Sequence, residues 1–316
     1  KGTKADNYEI TKTEGKLKVT AATDEAVVTI TENSGTVTYN GSEQSVTGYK
    51  VTNISNNLYK ESDFKFTGTA EVKGTDAGTY NMALKPEDFA NTNANFSKVT
   101  FKIEDGQLVI EKRKVTLTSA SDSKVYDGTA LTKKEVTVSG DGFADGEGAE
   151  YDVTGSQTVV GSSANTFTYT LNKGTKADNY TITKAEGTLT VTAAETEVVV
   201  TIKGKTDTVK YDGGKHSVEG YTVSINNSLY KETDFTFNGS KKAEGTNAGE
   251  YKMGLTESQF TNTSKNFTNV KFEVTDGYVK ITPREVTLTS ATDSKKYDGT
   301  ALTNDTVTVG GADGFA

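Results

Sequence analysis

The chain contains no cysteine and no tryptophan, and only one histidine, two prolines and two methionines in 316 residues. Without cysteine there is no disulfide, thiol nucleophile, thiolate metal site or internal thioester. One histidine and no Ser-His-Asp set leave hydrolase and transferase chemistry without its parts, so no catalytic residue is expected. No apolar run approaches the roughly 20 residues that span a bilayer, so no membrane insertion is expected. The opening KGTKADNYEI does not read as a signal peptide; with the repeat register below, it suggests a segment of a longer protein. Hydrophobic residues are 33% of the chain, so each folded module must manage with a thin core. A lone module of about 80–90 residues buries only about two-thirds of its unfolded surface. The net charge of −8 is spread along the chain, which favours solubility and argues against nucleic acid or an anionic membrane as a partner.

Repetition is what the sequence has in abundance. KVYDGTALT (124–132) returns as KKYDGTALT (295–303), with looser copies VTYNGSEQSV from Val37 and VKYDGGKHSV from Val209. Asp-Gly and Asn-Gly accept the positive φ of tight turns, so a hairpin is expected at each. The tyrosine before the turn can bury its ring and keep its hydroxyl wet. On a longer scale Lys1 aligns with Lys173, an offset of 172 that falls to 171 near Ile54. Nearly the whole chain is one long repeat seen not quite twice. Within it two diverged module types alternate: 1–22 is the end of a first-type module, 23–113 a second-type module and 114–194 a complete first-type module. Residues 195–283 are another second-type module, and 284–316 the start of a first-type module. The types share the Tyr-Asx-Gly turn, a Gly-to-aromatic step (Gly161 to Phe167, Gly245 to Tyr251) and an Asn-aromatic strand near the end (Asn179-Tyr180, Asn266-Phe267).

Val99, Phe101 and Ile103 alternate with Thr100 and Lys102, and Val270, Phe272 and Val274 do the same. Such alternation reads as half-buried strands. Helical signal is confined to single turns at KPEDF (85–89) and TESQF (256–260). The expected fold is all-β: tandem small Ig-like β-sandwich modules in an elongated rod. About four residues separate the strands on either side of a junction (Ile110 to Val115, Ile281 to Val286), too few for a floppy linker.

The candidate sites are few. The acidic loop DGFADGEGAEYD offers Asp141, Asp145, Glu147, Glu150 and Asp152 as oxygen ligands for weak calcium binding, without EF-hand spacing. No other cofactor is expected. His216 follows Asp212-Gly213-Gly214-Lys215 and reads as a residue of a solvated turn. The glycines near tyrosines precede no helix, so they form no phosphate cradle. Tyr59 and Tyr230 lie in polar loops, where an exposed ring would stack on a sugar and a buried one would plug the module rim.

Tyr126, Gly249 with Tyr251, Asn179 with Tyr180, and Gly187 with Leu189 and Val191 together resemble the MBG-type repeats of bacterial cell-surface adhesin-like proteins. The extra Asp or Asn inside the Tyr-Gly pair and the insertion around Asn227 to Phe237 depart from that pattern. The resemblance implies a secreted, extracellular stalk that holds a distal binding domain away from the bacterial envelope, and supplies no catalytic residue. The alternative function is an adhesive repeat that itself binds host glycan, mucin or matrix protein. Cysteine-free surface domains can also carry Lys–Asn cross-links, for which Lys114 and Asn179 are the candidates, although Glu285 replaces Lys114 in the other copy. The expected partners are neighbouring modules and, through 284–316 and the 1–22 segment of another molecule, a head-to-tail copy of the chain.

Overall fold

The computed structural model describes residues 2–316; Lys1, the first residue of the expected 1–22 segment, lies outside them. Among the described residues every regular element is a strand or a three-residue 3-10 turn. No helix among them is long and apolar enough to cross a membrane. Chain contacts define two units: Lys1–Ser119 with Glu135–Asp152 and Phe167–Glu186, and Ala120–Lys134 with Val153–Thr166 and Gly187–Ala316.

In the first unit, strand Ala26–Glu32 lies between antiparallel Tyr49–Ile54 and parallel Val99–Glu104. A second sheet centres on Gln107–Glu111, between parallel Gly35–Thr38 and antiparallel Gly78–Asn81. Ala26 faces Val99 and Gly35 faces Leu108, the same offset in both sheets. The first and last strands of this copy therefore run side by side along one parallel ribbon, and both pass from one sheet to the other midway. At the crossing the backbones nearly touch: a Cβ on Gly106 would sit 2.4 Å from the Asn33 carbonyl oxygen. Pairs Gln44–Thr47 with Glu71–Gly74 and Phe64–Phe66 with Phe89–Asn91 complete the copy. Alternation sends Val28, Ile30, Leu108 and Ile110 fully inward. Phe89 and Phe101 stack at 5.4 Å beside Phe64 and Phe66, each buried ring contributing roughly 2–3 kcal/mol. The same unit holds a third sheet, Val136–Gly140, Arg113–Ser119 and Tyr180–Ala185, the last two parallel.

The second unit repeats the plan. Val198–Gly204 lies between Tyr221–Ile225 and Val270–Thr275, and Tyr278–Thr282 between Thr206–Lys210 and Gly249–Lys252. Val198 faces Val270 and Thr206 faces Tyr278, again one offset. Two apolar clusters, one around Val200, Phe235, Phe260 and Phe272 and one around Ala243, Met253, Leu255 and Val279, share Tyr221, Phe237 and Val274. The filling is thus continuous between the sheets, and the copy is a small β-sandwich. Asp122–Val125, Thr188–Thr192 and Gly161–Ala164 form a further sheet of this unit.

Three local expectations meet different outcomes. The single turns at KPEDF and TESQF are the 3-10 turns Pro86–Asp88 and Glu257–Gln259. The Tyr-Asx-Gly glycines do take positive φ: +82° at Gly41, +79° at Gly128, +83° at Gly213 and +79° at Gly299. They do not close hairpins. Gly35–Thr38 pairs with Gln107–Glu111 whereas Gln44–Thr47 pairs with Glu71–Gly74, so the turn carries the chain between two sheets. The strand before the turn is zipped to the last strand of its copy, and the chain has to leave the ladder to continue. The turn is held instead by its own Asx side chain, which accepts the N–H two residues on: Ser42 to Asn40, Thr129 to Asp127, Gly214 to Asp212 and Thr300 to Asp298, at 2.8–2.9 Å.

The Gly-to-aromatic step has a physical reason in the long copies. A Cβ on Gly74 would collide with the Tyr80 ring at 2.4 Å, and one on Gly245 with the Tyr251 ring at 2.1 Å, so the ring covers the bare glycine. Gly161 and Phe167 make no such contact; Gly161 faces Gln157.

Candidate functional site

The polar and aromatic groups that sequence marks separately meet at seams between consecutive segments. In the first unit the 3-10 turn Ala177–Asn179 delivers Asn179, fully buried, and Tyr180 at the start of a strand. Asn179 Oδ1 accepts the Ala77 N–H at 2.8 Å and its Nδ2 donates to Asp76 Oδ1 at 2.9 Å. Lys176 Nζ reaches the other Asp76 oxygen at 2.7 Å. Those bonds to Lys176 and Asn179 hold the Asp76 carboxyl below the usual carboxylate range. The Tyr180 ring stands edge-on to Tyr39 and packs against Phe143 at 5.1 Å. Its hydroxyl donates to Glu147 Oε2 at 2.5 Å and accepts the Ala144 N–H at 3.0 Å. The Tyr39 hydroxyl donates to the other oxygen of Glu147. Burial and the adjacent carboxylate push the Tyr180 phenol up to about 12 and raise that of Tyr39. Beside the rings, the Arg113 guanidinium donates to the carbonyls of Tyr39, Asp141 and Gly142. A planar fork suits three converging carbonyls as an ammonium would not.

Only Lys112 separates strand Gln107–Glu111 from strand Arg113–Ser119, fewer residues than the spacing of apolar positions suggested.

The second unit holds a seam of the same plan. Asn266 Oδ1 accepts the Val160 N–H at 2.9 Å, and Phe267 stands edge-on to Tyr126 at 5.5 Å. Leu229 covers Gly128, where an added Cβ would meet it at 2.7 Å. Here the aromatic is phenylalanine, and no acceptor for a hydroxyl is required. Arg284 repeats the role of Arg113 on Tyr211, Asp313 and Gly314.

The sequence-predicted sites fare differently. Tyr59 and Tyr230 are each 1% exposed. Their hydroxyls bond Asp63 O with Asn91 Oδ1, and Asp234 O with Asn262 Oδ1, while their rings meet Phe96 and Phe267 edge-on. Neither ring has a face free for a sugar, which corrects the stacking expectation; both plug the core. Asp141, Asp145, Glu147, Glu150 and Asp152 do not converge. Asp141 accepts the Lys114 N–H, Glu147 turns inward to the two tyrosines, and Asp145, Glu150 and Asp152 are exposed. Among the described residues no group of three such side chains is placed to hold a metal, so the calcium candidate has no assembled ligand set. The cross-link pair is also corrected: Lys114 is exposed, and both amide atoms of Asn179 are engaged elsewhere. His216 opens strand His216–Glu219 and bonds Asp212 at 2.8 Å, which places it in a strand, not a turn.

Two carboxylates, the buried Glu32 and the half-buried Asp276, carried no sequence signal. Glu32 accepts the N–H groups of Leu84 and Gly106 at 2.5 and 2.7 Å. In the other copy its position is Gly204, and Asp276, between strands Val270–Thr275 and Tyr278–Thr282, accepts from Gly254 and Leu255 at 3.1 and 2.9 Å. The same loop is thus capped from the opposite side.

No curated protein matches the chain. Among solved structures it is similar to a tandem from titin, at 9% identity over 82% of this chain and 100% of that one, with a TM-score of 0.18. It is likewise similar to the N-terminal four Ig domains of Dscam1, at 10% identity over 81% of this chain and 73% of that one, with a TM-score of 0.20. At those scores the sandwich assignment rests on the strand registers above. The MBG domain family model matches residues 26–112 and 197–283, the two copies built on the parallel ribbon. The two matched ranges together cover more than half of the chain, and the chain belongs to the MBG domain family.

Proposed function

We propose that this chain is a load-bearing spacer: stalk repeats of a bacterial surface adhesin that project a distal binding domain from the cell envelope. The observation that carries this reading is the parallel pairing of first and last strands in each matched copy. The chain enters at Ala26, at one end of the ribbon, and leaves at Glu111, at the other. Tension along the chain therefore loads the ladder in shear, with its hydrogen bonds strained together rather than one after another. Val198 and Thr282 bound the same geometry in the second copy. The short, hydrogen-bonded seams support the same reading, since they leave little chain to swivel. An extracellular, bacterial surface location follows from the reading, as does a non-enzymatic role. The negative net charge agrees with neither nucleic acid nor an anionic membrane as partner.

Direct glycan, mucin or matrix-protein binding rested on exposed rings at Tyr59 and Tyr230, and their burial leaves the spacer reading ahead. Small-angle scattering tests it: a stiff, extended particle supports the spacer, and a freely hinged one contradicts it.

A further inference from the structure

We propose that Asn40 is a self-modification site: the folded chain converts its amide to a carboxylate, and the new charge loosens the seam built on Tyr39 and Glu147. Of the four Tyr-Asx-Gly turns, this one carries an amide; the others have Asp127, Asp212 and Asp298. The reaction needs only atoms of the turn and water. The Gly41 nitrogen attacks Asn40 Cγ, its proton departs with the side-chain nitrogen as ammonia, and a five-membered succinimide closes. Water then opens that ring at one of its two carbonyls. One opening gives aspartate at 40. The other gives an isoaspartyl link, in which the backbone runs through the former side chain.

The turn presents the reacting atoms. Asn40 and Gly41 are exposed, and Gly41, at a φ of +82°, has no side chain to shield its nitrogen. Asn40 Oδ1 accepts the Ser42 N–H at 2.9 Å. A donor therefore already sits on the oxygen where negative charge grows as Cγ becomes tetrahedral. Among the described residues the Gly41 N–H has no acceptor and Asn40 Nδ2 has no partner. The nearby Asn33 is held instead, its Nδ2 donating to the Thr47 carbonyl at 2.8 Å. The other Asn-Gly step, Asn238-Gly239, closes no Asx turn, and Gly239 packs on Gln259 rather than on a seam.

The fold supports an aspartate at the other three turns and not at this one. Lys124 Nζ lies 2.7 Å from Asp127, His216 Nε2 2.8 Å from Asp212 and Lys295 Nζ 3.1 Å from Asp298. At Asn40 the positions of Lys124 and His216 are Val37 and Gln44, and Gln44 donates to the Thr38 carbonyl. On the other side, a Cβ at Gly41 would lie 3.3 Å from Ala144 Cβ and 4.0 Å from Glu147 Oε1. A carboxylate at 40 is thus brought beside Glu147 with neither of those nitrogen partners, and like charges disfavour each other. Glu147 is the acceptor of both seam tyrosines, and the Tyr39 carbonyl that precedes Asn40 is an anchor of Arg113. The isoaspartyl product lengthens the backbone at that anchor and removes the side chain that closes the turn. Both products weaken the seam.

Peptide mapping by mass spectrometry tests the proposal on the full chain, held folded at mildly alkaline pH and compared with the same chain in urea. It is independent of the spacer role, which scattering reads. In the folded chain residue 40 is expected to gain the mass difference between amide and acid, as a mixture of aspartyl and isoaspartyl forms, while Asn33 stays unchanged. Asn40→Ser keeps an oxygen for the Ser42 N–H and loses the reaction. Asn40→Asp lowers the unfolding midpoint of the first unit by about 2–4 °C. An amide kept at 40 in the folded chain, over an interval in which the chain in urea has lost it, overturns the proposal. So does an Asn40→Asp midpoint equal to that of wild type.

Discussion

Tyr39 and Tyr180, 141 positions apart in the chain, meet edge-on with ring centroids 5.6 Å apart and planes at 82°, and their hydroxyls share the two oxygens of Glu147. The edge-on geometry suits the ring quadrupoles, and the shared carboxylate satisfies two hydroxyls drawn out of water. Replacing Glu147 by Ala leaves both without that acceptor, and an unsatisfied buried polar group costs about 1–3 kcal/mol. Glu147→Ala is expected to lower stability by about 2–3 kcal/mol, and Tyr180→Phe by about 1–2 kcal/mol. Urea unfolding followed by tyrosine fluorescence measures both, and equal stability to wild type contradicts the assigned role.

The same site sets an alkaline limit. The folded Tyr180 phenol is raised from 10.0 to about 12 by burial and by Glu147. A raised pKa means that its contribution is fully present below pH 10 and is lost as the pH climbs to about 12. Asp76 has the opposite sign: depressed by Lys176 and Asn179, it contributes above the usual carboxylate range, and that contribution is lost as the pH falls through its lowered value. Thermal unfolding across pH is expected to weaken at both extremes. Tyr180→Phe flattens the alkaline arm only partly, because Tyr230 is also raised to about 12.

Tyr59 and Tyr230 are core residues, and their truncation should read as such. Tyr59→Ala or Tyr230→Ala is expected to cost about 3–5 kcal/mol, the usual range for removing a buried aromatic side chain. Tyr→Phe at either position loses only the hydroxyl bonds, about 1 kcal/mol. Denaturant titration separates the two, and a change in sugar binding without loss of stability contradicts the burial argument.

The crossing of the ribbon between sheets depends on glycine. A Cβ at Gly277 would meet the Lys205 carbonyl oxygen at 2.5 Å, and one at Gly106 the Asn33 carbonyl oxygen at 2.4 Å. Gly106→Val or Gly277→Val is expected to cost about 3 kcal/mol or more through backbone displacement. Gly142→Ala changes a glycine with open space around it and φ of +68°, and is expected to cost about 1 kcal/mol. Comparing their unfolding midpoints isolates close approach from dihedral strain.

Much of this architecture was legible before any coordinates. Alternation at Val99, Phe101 and Ile103 and the offset of 172 identify the strands and the repeat. The Asx-Gly steps correctly imply positive φ, because that is a local property. Their partners were misread, since a turn of the same dihedral can close a hairpin or join two sheets, and the choice belongs to the distant strand that occupies the ladder. The pairing of Ala26 with Val99 is likewise invisible to local pattern. So is the exchange of Glu32 for Asp276, which leaves a glycine at 204 where a carboxylate stood. Tyr39 and Asn179-Tyr180 were each marked as recurrent, yet nothing in either motif says that one meets the other. Exposure was the weakest inference: polar neighbours around Tyr59 and Tyr230 belong to the turn that wraps each ring, not to open surface.

Single-molecule force extension tests the load-bearing claim most directly. The chain is pulled through its termini and, in parallel, through attachment points that peel the strand Ala26–Glu32 from Val99–Glu104 one bond at a time. The account predicts a markedly higher unfolding force through the termini for both matched copies, reduced by Gly106→Val and Gly277→Val. Equal forces in the two geometries would contradict it.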